Sequence, residues 1–153
     1  MRRNFFHIEG KVDLADFFNA LPFLHKDGVL LLMGIVNDQI IATLREFQIP
    51  YNDFPNIGKS ITFTFFKQIK EKNLAIEFND ESKKILMKLA KENVPSLEVC
   101  SYIYYLTEEK NEIVEFVVDD NIFISRDIVD NDEIIRDFCQ KISIDRYCLE
   151  EFY

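Results

Sequence analysis

The sequence predicts an α+β fold, a mixed β-sheet of about five or six strands with helices packed on it; a three-layer α/β sandwich is the competing description. Three observations carry this. Apolar residues recur at helical spacing in four places, they alternate at strand spacing in several others, and the two patterns interleave before a run of three strand-like segments late in the chain. With 153 residues, 48% of them hydrophobic and 14% aromatic, residues 1–153 are read as a single globular domain with one sizeable core, and the composition is opposite to that of a disordered chain. No internal repeat and no Ser- or Gly-rich linker divides it.

Taken in order, Leu14, Phe17, Phe18 and Leu21 lie on one face of a helix. Asp13 is placed to cap its first turn and Pro22 to end or kink it. Asp27-Gly28 reads as a turn, and the unbroken apolar run Val29 to Val36 as a strand covered on both faces. Asn37 or Asp38 caps a second helix with Ile40, Ile41, Leu44 and Phe47 inward, stopped before Pro50. Tyr51 to Lys59 reads as an irregular loop. Ile61, Phe63 and Phe65 alternate with Thr62 and Thr64 as in a strand, and Leu74, Ile76 and Phe78 repeat that period. Asn79-Asp80 caps a third helix with Ile85, Leu86, Leu89 and Ala90 inward. Tyr102 to Leu106, Glu112 to Val118 and Ile122 to Ser125 form a three-stranded meander, turning at 108–111 and 119–121. A last helix starts near Asp130, with Glu133 placed as in a capping box and Ile134, Ile135, Phe138 and Ile142 inward. Phe17, Leu31, Phe63, Leu89 and Phe138 are expected in one buried cluster.

The net charge of −9 is concentrated. Residues 1–107 balance, whereas 108–137 hold 11 acids against Lys110, Arg126 and Arg136, a local balance of −8. Such a segment argues against direct nucleic-acid binding, which needs a basic face. It suits a basic protein partner, because clustered charge steers association. It also suits a solvated face that keeps a Phe-rich protein soluble. The longest apolar run is far short of the ~20 residues of a membrane helix, and the N-terminus lacks the apolar stretch of a signal peptide. Cys100, Cys139 and Cys148 are odd in number and widely spaced, which suggests neither a disulfide framework nor a zinc site. A cytoplasmic location is expected.

Motifs for chemistry are absent. His7 and His25 stand apart, and Gly10, Gly28, Gly34 and Gly58 form no phosphate-cradling pattern. Asp119-Asp120-Asn121 and the acids from Asp127 to Glu133 do not have the spacing of a calcium loop. Asp130, Asp132 and Glu133 already suit a helix N-terminus. No catalytic residue, metal site or cofactor is assigned. The candidate partner-binding residues are the turn acids Glu108, Glu109, Asp119 and Asp120, with Tyr102 and Tyr104 beside them, since tyrosine gives contact area at little entropic cost. The alternative for Tyr102 and Tyr104 is a shared, half-buried sheet face with wet hydroxyls.

Glu98-Val99-Cys100, the strand containing Tyr104 and Tyr105, the acidic turn Asp119-Asp120 and the helix ending Phe138-Cys139 follow one another over roughly the last third of the chain. This layout resembles a group of small, acidic, uncharacterised bacterial proteins. In that group a histidine often follows the cysteine, where this chain has Ser101-Tyr102-Ile103, so no role for it carries over. The resemblance implies a bacterial intracellular domain and supplies no activity.

The leading expectation is a non-enzymatic binding protein, in its sharpest form an immunity-type inhibitor that occludes a toxic protein partner. A small enzyme or ligand-binding domain using pocket carboxylates comes second, and a nucleic-acid mimic third.

Overall fold

The computed structural model describes residues 3–35, 38–50, 72–92, 102–117, 121–143 and 148–152. Its elements are β1 (Arg3–Glu9), α1 (Leu14–Ala20), β2 (Val29–Ile35), α2 (Asp38–Thr43), β3 (Lys72–Glu77), α3 (Asp80–Lys91), β4 (Tyr102–Leu106), β5 (Glu112–Val117), β6 (Asn121–Ser125), α4 (Asp132–Lys141) and β7 (Cys148–Phe152). Short 3-10 turns at Leu21–Phe23 and Arg45–Phe47 extend the first two helices.

The local signals act as their chemistry dictates. Asp13 accepts the Asp16 N–H at 3.0 Å and starts α1. Asn79 and Ser82 cap α3 reciprocally, each side chain taking the other's backbone N–H. At α4 the cap is Asn131 rather than Asp130: its Oδ1 accepts the N–H groups of Glu133 and Ile134. Asp132, one residue on, bonds Arg126 at 2.7 Å, and that guanidinium lies 4.3 Å over the Phe6 ring.

All seven strands join one open sheet in the order β3-β2-β4-β5-β6-β1-β7. The α+β class holds, but the sheet is not mixed: every described ladder is antiparallel. The physical reason lies in the crossovers. β3–α3–β4 and β6–α4–β7 each join strands running the same way, but β2 and β1 respectively lie between them. An inserted strand turns what reads as a parallel βαβ neighbour pair into two antiparallel ladders. β1 and β7 are the two strands not among the expected segments, and they pair with each other from Arg3↔Phe152 to His7↔Cys148.

The described helices share one side of the sheet. Phe17, Phe18, Ile40, Leu86, Ile135 and Phe138 join strand residues such as Phe6, Leu30, Ile76 and Phe116 in the main core. Phe17 sits at its centre, 4.8 Å from the Phe116 ring and 6.4 Å from that of Phe138. The opposite face carries a second cluster, Val29, Leu31, Ala75, Tyr102, Tyr104 and Leu106, which contains no helical residue. The described layers therefore number two, not the three of a sandwich. Phe17 and Phe138 are buried as expected and Leu89 packs against the same core, but Leu31 belongs to the second cluster, because successive strand residues face opposite sides. Phe63, with the expected strand 61–65 and loop 51–59, lies outside the described residues. No described helix is long and apolar enough to cross a membrane.

Candidate binding site

β2 is flanked by β3 and β4, and Val29 pairs with Glu77 on one side and Leu106 on the other. This register brings the turn before β2, the end of β3 and the turn after β4 to one end of the sheet. An open cavity of about 380 Å³ lies there, lined by Asp27, Gly28, Val29, Ile49, Glu77, Phe78, Asn79 and Glu108. Its lining includes three acidic residues, Asp27, Glu77 and Glu108, from three separate segments, beside the apolar Val29 and Ile49.

The wall of this cavity is held by its backbone. Tyr105 donates its hydroxyl hydrogen to the His25 carbonyl at 2.6 Å and accepts the Gly28 N–H at 3.2 Å. The Phe78 N–H donates to the Gly28 carbonyl at 2.9 Å. Asp27 sits between these anchors at φ 55°, a left-handed conformation that Asp tolerates better than most residues. Burial pushes the Tyr105 phenol up to about 12; the Gly28 N–H opposes this and the Asp27 charge adds to it. Tyr105 therefore remains a donor at neutral pH.

Of the sequence-predicted residues, Glu108 and Glu109 face outward. They occupy a tight turn closed by Lys110 N–H to Thr107 O at 2.8 Å, with Lys110 at φ 66°. Glu108 reaches the cavity. Asp119 and Asp120 lie outside the described residues, as do Glu98, Val99 and Cys100.

Tyr102 and Tyr104 do share a sheet face, with rings stacked at 6.0 Å. They are 2% and 0% exposed, however, so neither offers contact area to a partner. The Tyr104 hydroxyl is not wet but donates to Glu115 Oε1 at 3.3 Å. Burial first, then the charges of Glu115 and Glu112, hold its pKa far above the ordinary tyrosine value.

Glu112 and Glu115 are 5% and 0% exposed, so the acidic segment is not one outward face. Simple alternation would put these two on opposite sides of β5. The β4–β5 register shifts between Tyr105↔Val114 and Leu106↔Glu112, which leaves Ile113 as an extra residue and returns Glu112 to the Glu115 side. Further along that face, Phe123 stacks on the His7 ring at 4.6 Å, and His7 Nε2 lies 2.7 Å from Asn121 Oδ1. Tyr104 is the immediate neighbour of Tyr105 in β4 and so faces the opposite side of the sheet, which keeps this constellation separate in packing from the Tyr105 anchor.

No family model, curated protein or solved structure matches this chain. Among the described residues, no group of three or more His, Cys, Asp or Glu side chains is arranged to hold a metal ion. Cys139 is buried with its thiol free, and burial pushes its pKa up to about 11.

Asp27 and Glu77 are the site residues that sequence reasoning did not single out. Asp27 reads as half of a turn and Glu77 as the outward position of a strand; only the pairing of both neighbours with Val29 makes them adjacent.

Proposed function

We propose that this protein is a non-enzymatic binding protein that engages a basic protein partner through the acidic end of its sheet. One observation carries the reading: Glu108, from the acidic segment, meets Asp27 and Glu77 around an open cavity. Charge of one sign gathered at one end of a domain raises the encounter rate with a basic partner. In its finer form the protein is a bacterial cytoplasmic inhibitor of the immunity type, which binds a toxic partner and covers its working surface.

The test is a measured association rate with the partner recovered from the native cell. Glu108→Lys with Glu109→Lys should leave the fold intact, since both side chains are exposed. At low salt the double variant should associate about tenfold more slowly, with a flatter salt dependence. A variant that binds as fast as the parent at low salt, or a partner whose contact surface is not basic, overturns the reading.

A second reading, a small enzyme or ligand-binding domain built on carboxylates, draws support from the buried Glu112 and Glu115 beside Tyr104. Glu115→Gln would abolish any turnover under that reading and leave partner association unchanged under the first.

A further inference from the structure

We propose that the cavity rimmed by Asp27, Glu77 and Glu108 is a pocket for a single arginine side chain of the partner. The inference rests on the binding reading above and deepens it, since it names the group that is recognised.

Size, wall chemistry and charge point the same way. At about 380 Å³ the cavity is at the small end of ligand clefts, which run from about 300 to 1,000 Å³, so it suits one long side chain and not a folded segment. Val29 and Ile49, which pack together on the sheet face away from the helices, give an apolar surface for an aliphatic stem. The three carboxylates approach from different strand ends, and none of them makes an ion pair or side-chain hydrogen bond within the described structure. None of the described lining residues is a lysine or arginine. The start of α3 at Asn79 brings a partial positive charge to one wall, but Asp80 and Glu81 in its first turn offset it.

A guanidinium matches this rim better than an ammonium. Its five N–H donors in a planar fork can reach acceptors set around a ring, and it is less strongly hydrated, so less is lost on entering a partly apolar cleft. The wall is also fixed before binding: the Tyr105 hydroxyl ties His25 and Gly28 on either side of Asp27. Fixing the backbone at Asp27 in advance spares part of the ordering cost that an exposed ion pair otherwise carries.

The probe is N-acetyl-arginine methylamide, titrated into the full chain and followed by amide chemical shifts, with the lysine and norleucine analogues in parallel. Saturable shifts at Gly28, Val29, Phe78 and Asn79 are expected, with the arginine analogue binding tighter than either control. Glu108→Gln should weaken it about threefold, and Glu108→Gln combined with Asp27→Asn and Glu77→Gln about tenfold or more. The amide spectra report at the same time that each variant is folded. Equal binding of the norleucine analogue, or shifts centred elsewhere, overturns the pocket. Equal binding of the lysine analogue overturns the arginine assignment.

Failure here is distinguishable from failure of the binding reading. If the arginine analogue does not bind but Glu109→Lys, outside the pocket lining, still slows the partner, the pocket falls and the reading stands. If the analogue binds as expected while the recovered partner has no basic contact surface, the reading falls and the pocket stands.

Discussion

Gly28→Ala tests the packing at the acidic end of the sheet. Gly28 does not lie in the left-handed region, so its backbone angles alone do not require glycine. Space does. A Cβ there would come within 2.8 Å of Tyr105 Cε1 and 2.9 Å of its Cζ, and closer still to the Leu106 carbonyl oxygen, where real contacts essentially never fall under 3.0 Å. The Leu106 oxygen is backbone in β4 and cannot swing away as a side-chain tip can, so β2 and β4 must separate locally. Overpacking of this kind costs about 1–3 kcal/mol. The Tyr105–Gly28 and Gly28–Phe78 hydrogen bonds would weaken with it, adding about 1 kcal/mol. The expected total is about 2–4 kcal/mol. With a urea slope near 2 kcal/mol/M for a domain of this size, the unfolding midpoint should fall by about 1–2 M. Asp27→Gly is the matched control: it relieves a positive φ and fills no space, so it should stay within about 1 kcal/mol of the parent. A Gly28→Ala protein within about 0.5 kcal/mol of the parent would show that the close approach of β2 and β4 is not as described.

Three further outcomes follow from buried groups. Phe138→Ala removes a fully buried ring packed against Phe17 and should cost about 3–5 kcal/mol, a fall in Tm of about 6–20 °C; a loss under about 1 kcal/mol would mean that α4 is not docked on this core. Tyr105 keeps its proton in the folded chain up to about 12, whereas an unfolded tyrosine loses it near 10. Its contribution is complete below pH ~10 and is lost as pH rises from about 10 towards about 12. Urea midpoints measured across that range should decline, less steeply in Tyr105→Phe, and an unchanged slope would count against the buried phenol. Cys139 should resist alkylation in the native protein and react freely in denaturant; fast native labelling at that position would contradict its burial.

Where a signal is local, the sequence shows it. Asp13 before Leu14, Asn79 before the apolar spacing of α3, and the alternation of Leu74 and Ile76 in β3 each depend on residues within one turn or strand, and each element forms there. β1 is harder to read because both its faces are used. Phe6 and Ile8 enter the helical core while Phe5 is buried on the other side, so the alternation of a half-exposed strand is missing. In β7 the adjacent Glu150 and Glu151 depress strand propensity, and pairing with β1 supplies what local preference does not. The candidate site depends on register. Glu108 could be named from its turn, but its meeting with Asp27 and Glu77 requires Val29 to pair with both neighbours. The inward turn of Glu112 likewise depends on one extra residue, Ile113, whose effect on facing direction is invisible to a count of alternating positions.

The place of β1 between β6 and β7 also sets an order of events in refolding. β4, β5 and β6 lie close together in sequence, so their ladders pair residues of small sequence separation and can form early. β1 must instead find partners at the far end of the sequence, from Glu9↔Asn121 to Phe5↔Ser125, and β7 can pair only once β1 is in place. Until then Phe5, Phe6 and Ile8 remain uncovered, and the β6 edge offers a free row of backbone groups to any other strand, including β1 of a second molecule. Exchange of that strand between chains, favoured at high protein concentration during refolding, is the misassembly to which this topology is most exposed. Pulse-labelled amide exchange would reveal the order directly, with β4 to β6 protected in a phase before β1.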